Sequence, residues 1–538
     1  MTDLPETVVA LLAERVAAFP DRPFASIYDR AGGVQRWSYL AAGARVAGIA
    51  DWLTTYGLLK GDRLAVYLDD GDPGIWLYLA CAANGVVPVP LGPSYSLGAL
   101  DQLAKQCQVK AVVTTPGLVA SVATLGLPVL CFADTPGAVT IGEAPTPDPI
   151  ARLRDLAAAV TGDDIYMFQP TSGSTGIPKV VMRRHVTFPR AGCVIAAGLT
   201  PDSPPQAGLL VQALTHGGGH YCLAVILYVG GEICIPSAID TDVPLTEVEA
   251  LAPTYLYLAP RILRSLFAQH ATKYGEAAAA TPFCGPRLQW ITIGGAPSDE
   301  AQLSELERRC VQVVEGYGAT EISVIAVTVR GQRRAHAVGR VLPDIDVRLS
   351  DDGEVEVKSE YGMAGYLDAP ELTRAAFTYD GYYSTGDLGS LDAEGFLRIH
   401  GRSRDVFNSA EGSNIYPTRI EEMLEGLPSI GQAILVGDVK PFITALLHVE
   451  GSEDSDEPLA PCDHAGLYAT VRAEIETVNE RLEAFERIRR FVLLPRPFPS
   501  EVYHPVGQSK IRRDRKASVA RYLDLIDAMY AASSPYDC

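Results

Sequence analysis

Between Thr171 and Lys179 the chain reads Thr-Ser-Gly-Ser-Thr-Gly-Ile-Pro-Lys, with four hydroxyl side chains, two glycines and a lysine in nine residues. Gly173 and Gly176 let the backbone aim its N–H groups at one point, Ser172, Ser174 and Thr175 add donors, and Lys179 adds a mobile cation. These are the parts of a phosphate cradle. A solvent-exposed Gly/Ser turn has a similar composition, but the apolar runs at 165–168 and 180–181 set this loop between two strands. A Walker-type loop is disfavoured, because its spacing counted from Gly173 needs glycine at 178, where Pro178 stands.

Further stretches carry chemistry-bearing residues. Thr215-His216-Gly217-Gly218-Gly219-His220-Tyr221 follows an apolar run at 209–214 that reads as a strand. Ligands in open α/β sheets sit at the carboxyl ends of strands. From the residues alone this segment is either an acid-binding wall or a flexible turn with two surface histidines. Apolar runs at 290–293 and 311–314 lead into Gly294-Gly295-Ala296-Pro297 and Glu315-Gly316-Tyr317-Gly318-Ala319-Thr320-Glu321, where small residues let a flat ligand approach the backbone. An ordinary strand-to-helix turn capped by Thr320 is the alternative for the second. Asp387, Arg402, Arg404 and, in a basic run at 507–516, Lys510 complete the candidate set.

The elements that must position these groups are legible from periodicity. Helical spacing covers residues 5–19, 38–56 (with Gly57 as the stop), 74–83 and 97–107; strands are expected at 64–68, 86–91, 111–114 and 129–133. Strands separated by helices of this length imply parallel βαβ units. From Gly353 the texture changes to short alternating strands, clearest at 354–358. Near the end, strands at 433–436 and 443–449 precede a helix spaced over 467–485, an α+β pattern.

With 538 residues the chain exceeds one core, so two or more domains are expected. A net charge of −20 argues against nucleic acid or an anionic membrane as the main partner, so an anionic ligand must meet a local basic site. Ten cysteines without C-x-x-C pairs indicate neither a zinc site nor a disulfide framework. The first residues lack a signal-peptide pattern and no run of 18 apolar residues occurs; a cytoplasmic protein without a membrane span is expected.

In type and order these motifs resemble those of the adenylate-forming superfamily of acyl-CoA synthetases, luciferases and peptide-synthetase adenylation domains. The stretches at 412–421 and 436–446 most resemble the long-chain acyl-CoA synthetase branch. The resemblance implies an α/β fold with a large N-terminal domain of mostly parallel sheets, helices and a small β-rich subdomain over residues 1–402. A small mobile α+β domain would follow over 403–538, carrying the hinge and the catalytic lysine.

On that resemblance Thr171, Ser172, Gly173, Ser174, Thr175, Gly176 and Lys179 hold the phosphates of ATP. Gly295, Ala296, Pro297, Gly316, Tyr317 and Gly318 hold the nucleotide, with Tyr317 stacked on adenine. Thr320 bonds the α-phosphate, Glu321 binds Mg²⁺, and Asp387 and Arg402 contact the ribose. The acid pocket takes His216, Gly217, Gly218, Gly219, His220, Tyr221, Gly294 and Ala319. His216 and Lys510 are catalytic, Lys510 bridging carboxylate and α-phosphate, and Arg404 is the hinge. Two departures stand out: Arg404 occupies a position that is commonly Asp or Lys, and Ser509 precedes Lys510 where glycine is usual. The implied reaction joins a carboxylic acid to AMP from ATP, then to CoA. An amine or a carrier protein is an alternative acceptor, and a degenerate member that has lost adenylation is the remaining alternative. An amino acid substrate is disfavoured, since residues 215–221 offer no carboxylate to pair with an ammonium group.

Overall fold

The computed structural model describes residues 4–28, 33–68, 72–92, 95–171, 179–199, 206–214, 217–239, 243–296, 298–409, 413–438, 440–449, 457–498 and 515–531. Helix Tyr39–Tyr56 begins where Ser38 Oγ accepts from the Ala41 N–H at 3.2 Å and ends at Gly57, whose φ of 103° is left-handed. With helices Val8–Ala18 and Asp72–Asn84 it builds a core in which Leu11, Leu12, Val46, Ile49 and Trp76 are buried. Strands Arg63–Tyr67, Val87–Pro90, Ala111–Thr114, Val129–Cys131 and Val139–Thr140 form a five-stranded parallel sheet, as the strand–helix alternation requires.

A second sheet of thirteen strands positions the site. Its parallel part contains Glu232–Ile235, Ala207–Leu209, Tyr255–Leu258, Trp290–Gly294 and Gln312–Ala319. The last of these continues, antiparallel, into Ser323–Val327, Gly339–Val341, Phe396–Arg402, Tyr383–Leu391, Glu354–Lys358 and Asp346–Leu349. The β-rich region is therefore hydrogen-bonded onto the parallel part as one sheet. Beyond residue 402, strands Gln432–Val436, Ile443–His448 and Ile488–Leu494 form a three-stranded sheet. It packs with helices Pro417–Glu425 and Ala465–Asn479 around Ile420, Leu435, Leu447, Val471 and Phe491. Arg515 ties helix Arg515–Arg521 to this unit through both oxygens of the buried Glu421, at 2.6 and 2.7 Å.

Four expectations need correction. The strand expected over 209–214 is Ala207–Leu209, and the three glycines open helix Gly217–Val229 instead of forming a loop. That close start depends on missing side chains: a Cβ on Gly219 would lie 2.4 Å from the Ala213 carbonyl oxygen. The run at 311–314 extends to Ala319 because antiparallel pairing to Ser323–Val327 holds it, so Thr320 and Glu321 sit in a hairpin and not before a helix. The helix expected to reach 485 ends at Asn479, whose buried amide bonds both the N–H and the C=O of Ile488.

The nine cysteines among the described residues are all unpaired, six of them buried. No helix among those residues is long and apolar enough to cross a membrane.

Candidate active site

Hairpin Ile165–Thr171/Lys179–Arg184 pairs Thr171 with Lys179, Gln169 with Val181 and Met167 with Arg183. Thr171 Oγ1 donates to the Lys179 carbonyl at 3.2 Å, so the residues flanking the hydroxyl-rich loop face each other at the mouth of a cavity of about 620 Å³. Strand Gly365–Tyr366 pairs Tyr366 with Val181, bringing its ring within 5.0 Å of Lys179 Nζ. The Tyr366 hydroxyl donates to Glu321 Oε1 at 2.9 Å, while the Met363 N–H holds the Glu321 carbonyl at 2.6 Å. Burial, and then the Glu321 charge, push the Tyr366 phenol well up, which keeps it a donor.

At the same cavity Tyr317 and Arg402 interlock with Asp387 behind them. The Tyr317 hydroxyl donates to Asp387 Oδ2 at 2.6 Å, and Arg402 Nε lies 2.9 Å from Oδ1. Asp387 and Arg402 are direct partners in the sheet register. Arg402 also donates to the Thr385 carbonyl at 2.8 Å, and the Thr385 hydroxyl accepts from the Asp387 N–H at 3.1 Å. Burial and the Asp387 charge raise the Tyr317 phenol far above its ordinary value. The sheet beside Tyr317 must be bare of side chains, since a Cβ on Gly318 would lie 2.2 Å from the Ser323 carbonyl oxygen.

Among the residues read from sequence, Thr171, Lys179, Gly294, Gly295, Gly316, Tyr317, Gly318, Ala319, Thr320, Glu321, Arg402 and Arg404 line this one cavity. Gly217, Gly218 and Tyr221 line it from the first turn of their helix. Asp387 stands behind the lining, bonded to it through Tyr317 and Arg402, and Ala296 lies off it. Gly219 and His220 do not reach the cavity: His220 is buried edge-on against Tyr78 and Tyr166, with centroids 5.1 and 5.9 Å away. Ser172, Gly173, Ser174, Thr175, Gly176, His216, Pro297 and Lys510 lie outside the described residues.

Residues 365–370 also match the superfamily's motifs in the sequence, but sequence reading assigns no role to Tyr366 there, nor any to Arg183, Gln169, Gln212 and Tyr257, all of which line the cavity. For Arg183 a signal existed: Lys179, Val181 and Arg183 alternate along one strand face, so Arg183 points the same way as the phosphate-loop lysine. Among the described residues no three His, Cys, Asp or Glu groups converge as a metal site. The Glu321 carboxylate, at the cavity wall and held by Tyr366, is a hard oxygen donor of the kind Mg²⁺ takes, leaving phosphate oxygens and water to complete the octahedral shell this ion prefers.

The thirteen-stranded sheet and the small sheet of Ile165–Thr171, Lys179–Arg184 and Gly365–Tyr366 meet at this cavity, and with a small α+β unit after residue 402 they define the adenylate-forming fold. The AMP-complexed A–PCP didomain of carboxylic acid reductase from Segniliparus rugosus superposes with a TM-score of 0.77 at 18% identity, covering 98% of this chain and 82% of that one. ATP-bound MatB from Rhodopseudomonas palustris gives 0.71 at 23% identity, covering 96% and 99%. The chain belongs to the AMP-binding enzyme family: residues 12–367 match the AMP-binding enzyme profile and residues 404–534 the AMP-binding enzyme C-terminal domain. It is 30% identical to long-chain-fatty-acid–CoA ligase FadD13 of Mycobacterium tuberculosis over 75% of this chain and 80% of that protein. Identity to feruloyl-CoA synthase of an Amycolatopsis species is 28% over 79% and 86%. The match to long-chain-fatty-acid–CoA ligase FadD15 of Mycobacterium bovis, 33% identical, spans 46% of this chain but only 42% of that protein.

Proposed function

We propose that this chain is an AMP-forming acyl-CoA ligase of the cytoplasm. A carboxylate oxygen of the acid attacks the α-phosphorus of ATP, a new P–O bond forms, and the bond to the β-phosphate oxygen breaks to release pyrophosphate. The CoA sulfur then attacks the acyl carbon, AMP leaves, and the thiol proton passes to solvent. The observation that supports this best is the convergence of Lys179, Tyr366 and Glu321 with Tyr317 and Arg402, the last two held by Asp387, on one cavity.

Two anions must meet in the first step, so the work of the site is to neutralise charge and fix the line of attack. Lys179 and the hydroxyl-rich loop take the outer phosphates, and Tyr366 orients the Glu321 carboxylate. When bound at Glu321, Mg²⁺ supplies positive charge to the phosphate chain. Tyr317 and Arg402, held by Asp387, present a ring and a guanidinium to the nucleoside. Thr320 bonds the α-phosphate, and Lys510 stabilises charge developing there. Arg404, immediately after the strand that carries Arg402, is the hinge on which residues 403–538 turn between the two steps.

The test is mass spectrometry of the protein with ATP, Mg²⁺ and a pool of carboxylic acids, with and without CoA. Acyl adenylates in one tube and acyl-CoA in the other are expected. Adenylates that ignore CoA would transfer the reading to an amine or carrier-protein acceptor. Failure to form either product, together with failure to convert a supplied acyl adenylate, would overturn it.

A further inference from the structure

Beside aliphatic groups such as Ile195, Val324 and Val327, the cavity lining holds one buried side chain that a hydrocarbon would not satisfy. Arg183 is 2% exposed, yet it lines the cavity and has no carboxylate partner among the described residues. Its contacts are one hydrogen bond to the amide oxygen of Gln169 at 3.1 Å and two aromatic rings, Tyr166 at 5.5 Å and Tyr221 at 5.8 Å. Its Nε is buried without any acceptor. The other deeply buried guanidinium nearby, Arg190, shows what a satisfied one looks like: Asp344 meets it with both oxygens, at 2.7 and 2.9 Å, and the Val324 carbonyl takes a third bond. A buried charge lacking such a partner is costly, and buried polar groups left unpaired in a native fold call for an explanation.

Position supplies one. Lys179 and Arg183 lie four residues apart on the same face of one strand, about 13 Å at 3.3 Å per residue. Lys179 marks the end of the cavity that takes the outer phosphates, so Arg183 lies well away from that end, beside Tyr221 on the helix that contributes to the acid pocket. Gln212, 4% exposed, also lines the cavity and adds an amide. Gly218 leaves room for that amide, since a Cβ there would lie 2.0 Å from Gln212 Oε1.

We propose that Arg183, with Gln169 and Gln212, is a specificity site for a second anionic group on the acid, making the substrate a dicarboxylic acid or an equivalent acid with an anionic tail. The proposal rests on the ligase reading, because it assigns part of that same pocket. A planar guanidinium with a free Nε suits a carboxylate accepting two parallel hydrogen bonds.

Binding and turnover test it separately. Isothermal titration of the full chain with α,ω-dicarboxylic acids of four to ten carbons and with monocarboxylic acids of matched length should show at least one diacid binding at least tenfold more tightly than its monoacid. Arg183→Met should erase that preference, and Arg183→Lys should keep part of it. Pyrophosphate release with ATP and Mg²⁺ should follow the same ratio. Diacids binding no better than monoacids, or a preference that survives Arg183→Met, would overturn the proposal even if monoacids were turned over. Arg183-dependent diacid binding without any pyrophosphate release would uphold the anion site and sink the ligase reading instead. Since both variants are judged by the diacid-to-monoacid ratio within one protein, a general loss of folded enzyme does not mimic the effect.

Discussion

The Arg190–Asp344 pair gives the sharpest prediction about what holds the site together. Arg190 sits in helix Thr187–Gly198, directly after the phosphate-loop hairpin, with its side chain wholly buried, and Asp344 is 16% exposed. The Val324 carbonyl that also binds it lies on the strand paired to Gly318. The guanidinium thus joins the helix behind Lys179 to the strand beside Tyr317. Asp344→Ala leaves that buried cation with a single carbonyl and the Tyr361 ring at 4.6 Å, and breaking one side of such a pair costs about 3–5 kcal/mol. Replacing both partners by apolar groups, as Arg190→Met with Asp344→Leu, removes the stranded charge and leaves one unsatisfied carbonyl, a loss of about 1 kcal/mol or less. Urea unfolding followed by tryptophan fluorescence measures both, provided the slope m is unchanged. The single variant should be the less stable of the two, by about 2 kcal/mol or more. A single variant that loses under about 1 kcal/mol, or a double variant as unstable as the single, would refute the assignment.

Other expectations follow from the same geometry. Tyr366→Phe removes the donor to Glu321, and losing a hydrogen bond to a charged group, about 1.5–3 kcal/mol, should lower kcat/KM for Mg·ATP by roughly ten- to a hundredfold with the fold intact. Asp387→Asn leaves Arg402 without its counter-charge and should raise the KM for ATP about tenfold or more, a change that saturation kinetics would show. Burial pushes Glu315 from 4.5 up to about 7. Between those values the native state keeps a proton the unfolded chain has released, so stability falls as pH rises through the window, by about 3 kcal/mol, and levels off above it. Burial holds His185 at about 4, down from 6.5, which has the opposite sign: stability falls as pH drops from 6.5 through 4. Glu315→Gln should therefore remove the first slope and unmask acid lability from the second in pH-dependent melts.

Much of the architecture was legible because local chemistry and tertiary need agree. Ser38 and Gly57 bound their helix by capping, and the parallel βαβ units follow from element spacing. The misreadings share one kind of cause, contacts that no local pattern announces. Nothing local to 311–314 announces that a hairpin will extend it to Ala319, and nothing in three successive glycines shows that their missing Cβ atoms admit Gln212 and start a helix. His220 looked like a pocket residue because it follows those glycines, whereas the helical turn carries it to the opposite face, against Tyr78. Arg183 was visible as a charge at an inward strand position, but that its neighbours would bring no acid to it depends on contacts no local pattern contains.

The buried cysteines bear on a hazard of the proposed chemistry. An acyl adenylate is an acylating agent for any thiolate within reach, the enzyme's own included. None of the described residues lining the cavity is a cysteine. Cys222, one residue beyond the lining Tyr221, turns its thiol toward the Leu209 carbonyl at 3.4 Å, and burial pushes it up to about 12. A thiol held protonated in this way is a poor nucleophile, so it is insulated from self-acylation, and the reactive intermediate is kept for a thiol that arrives from outside.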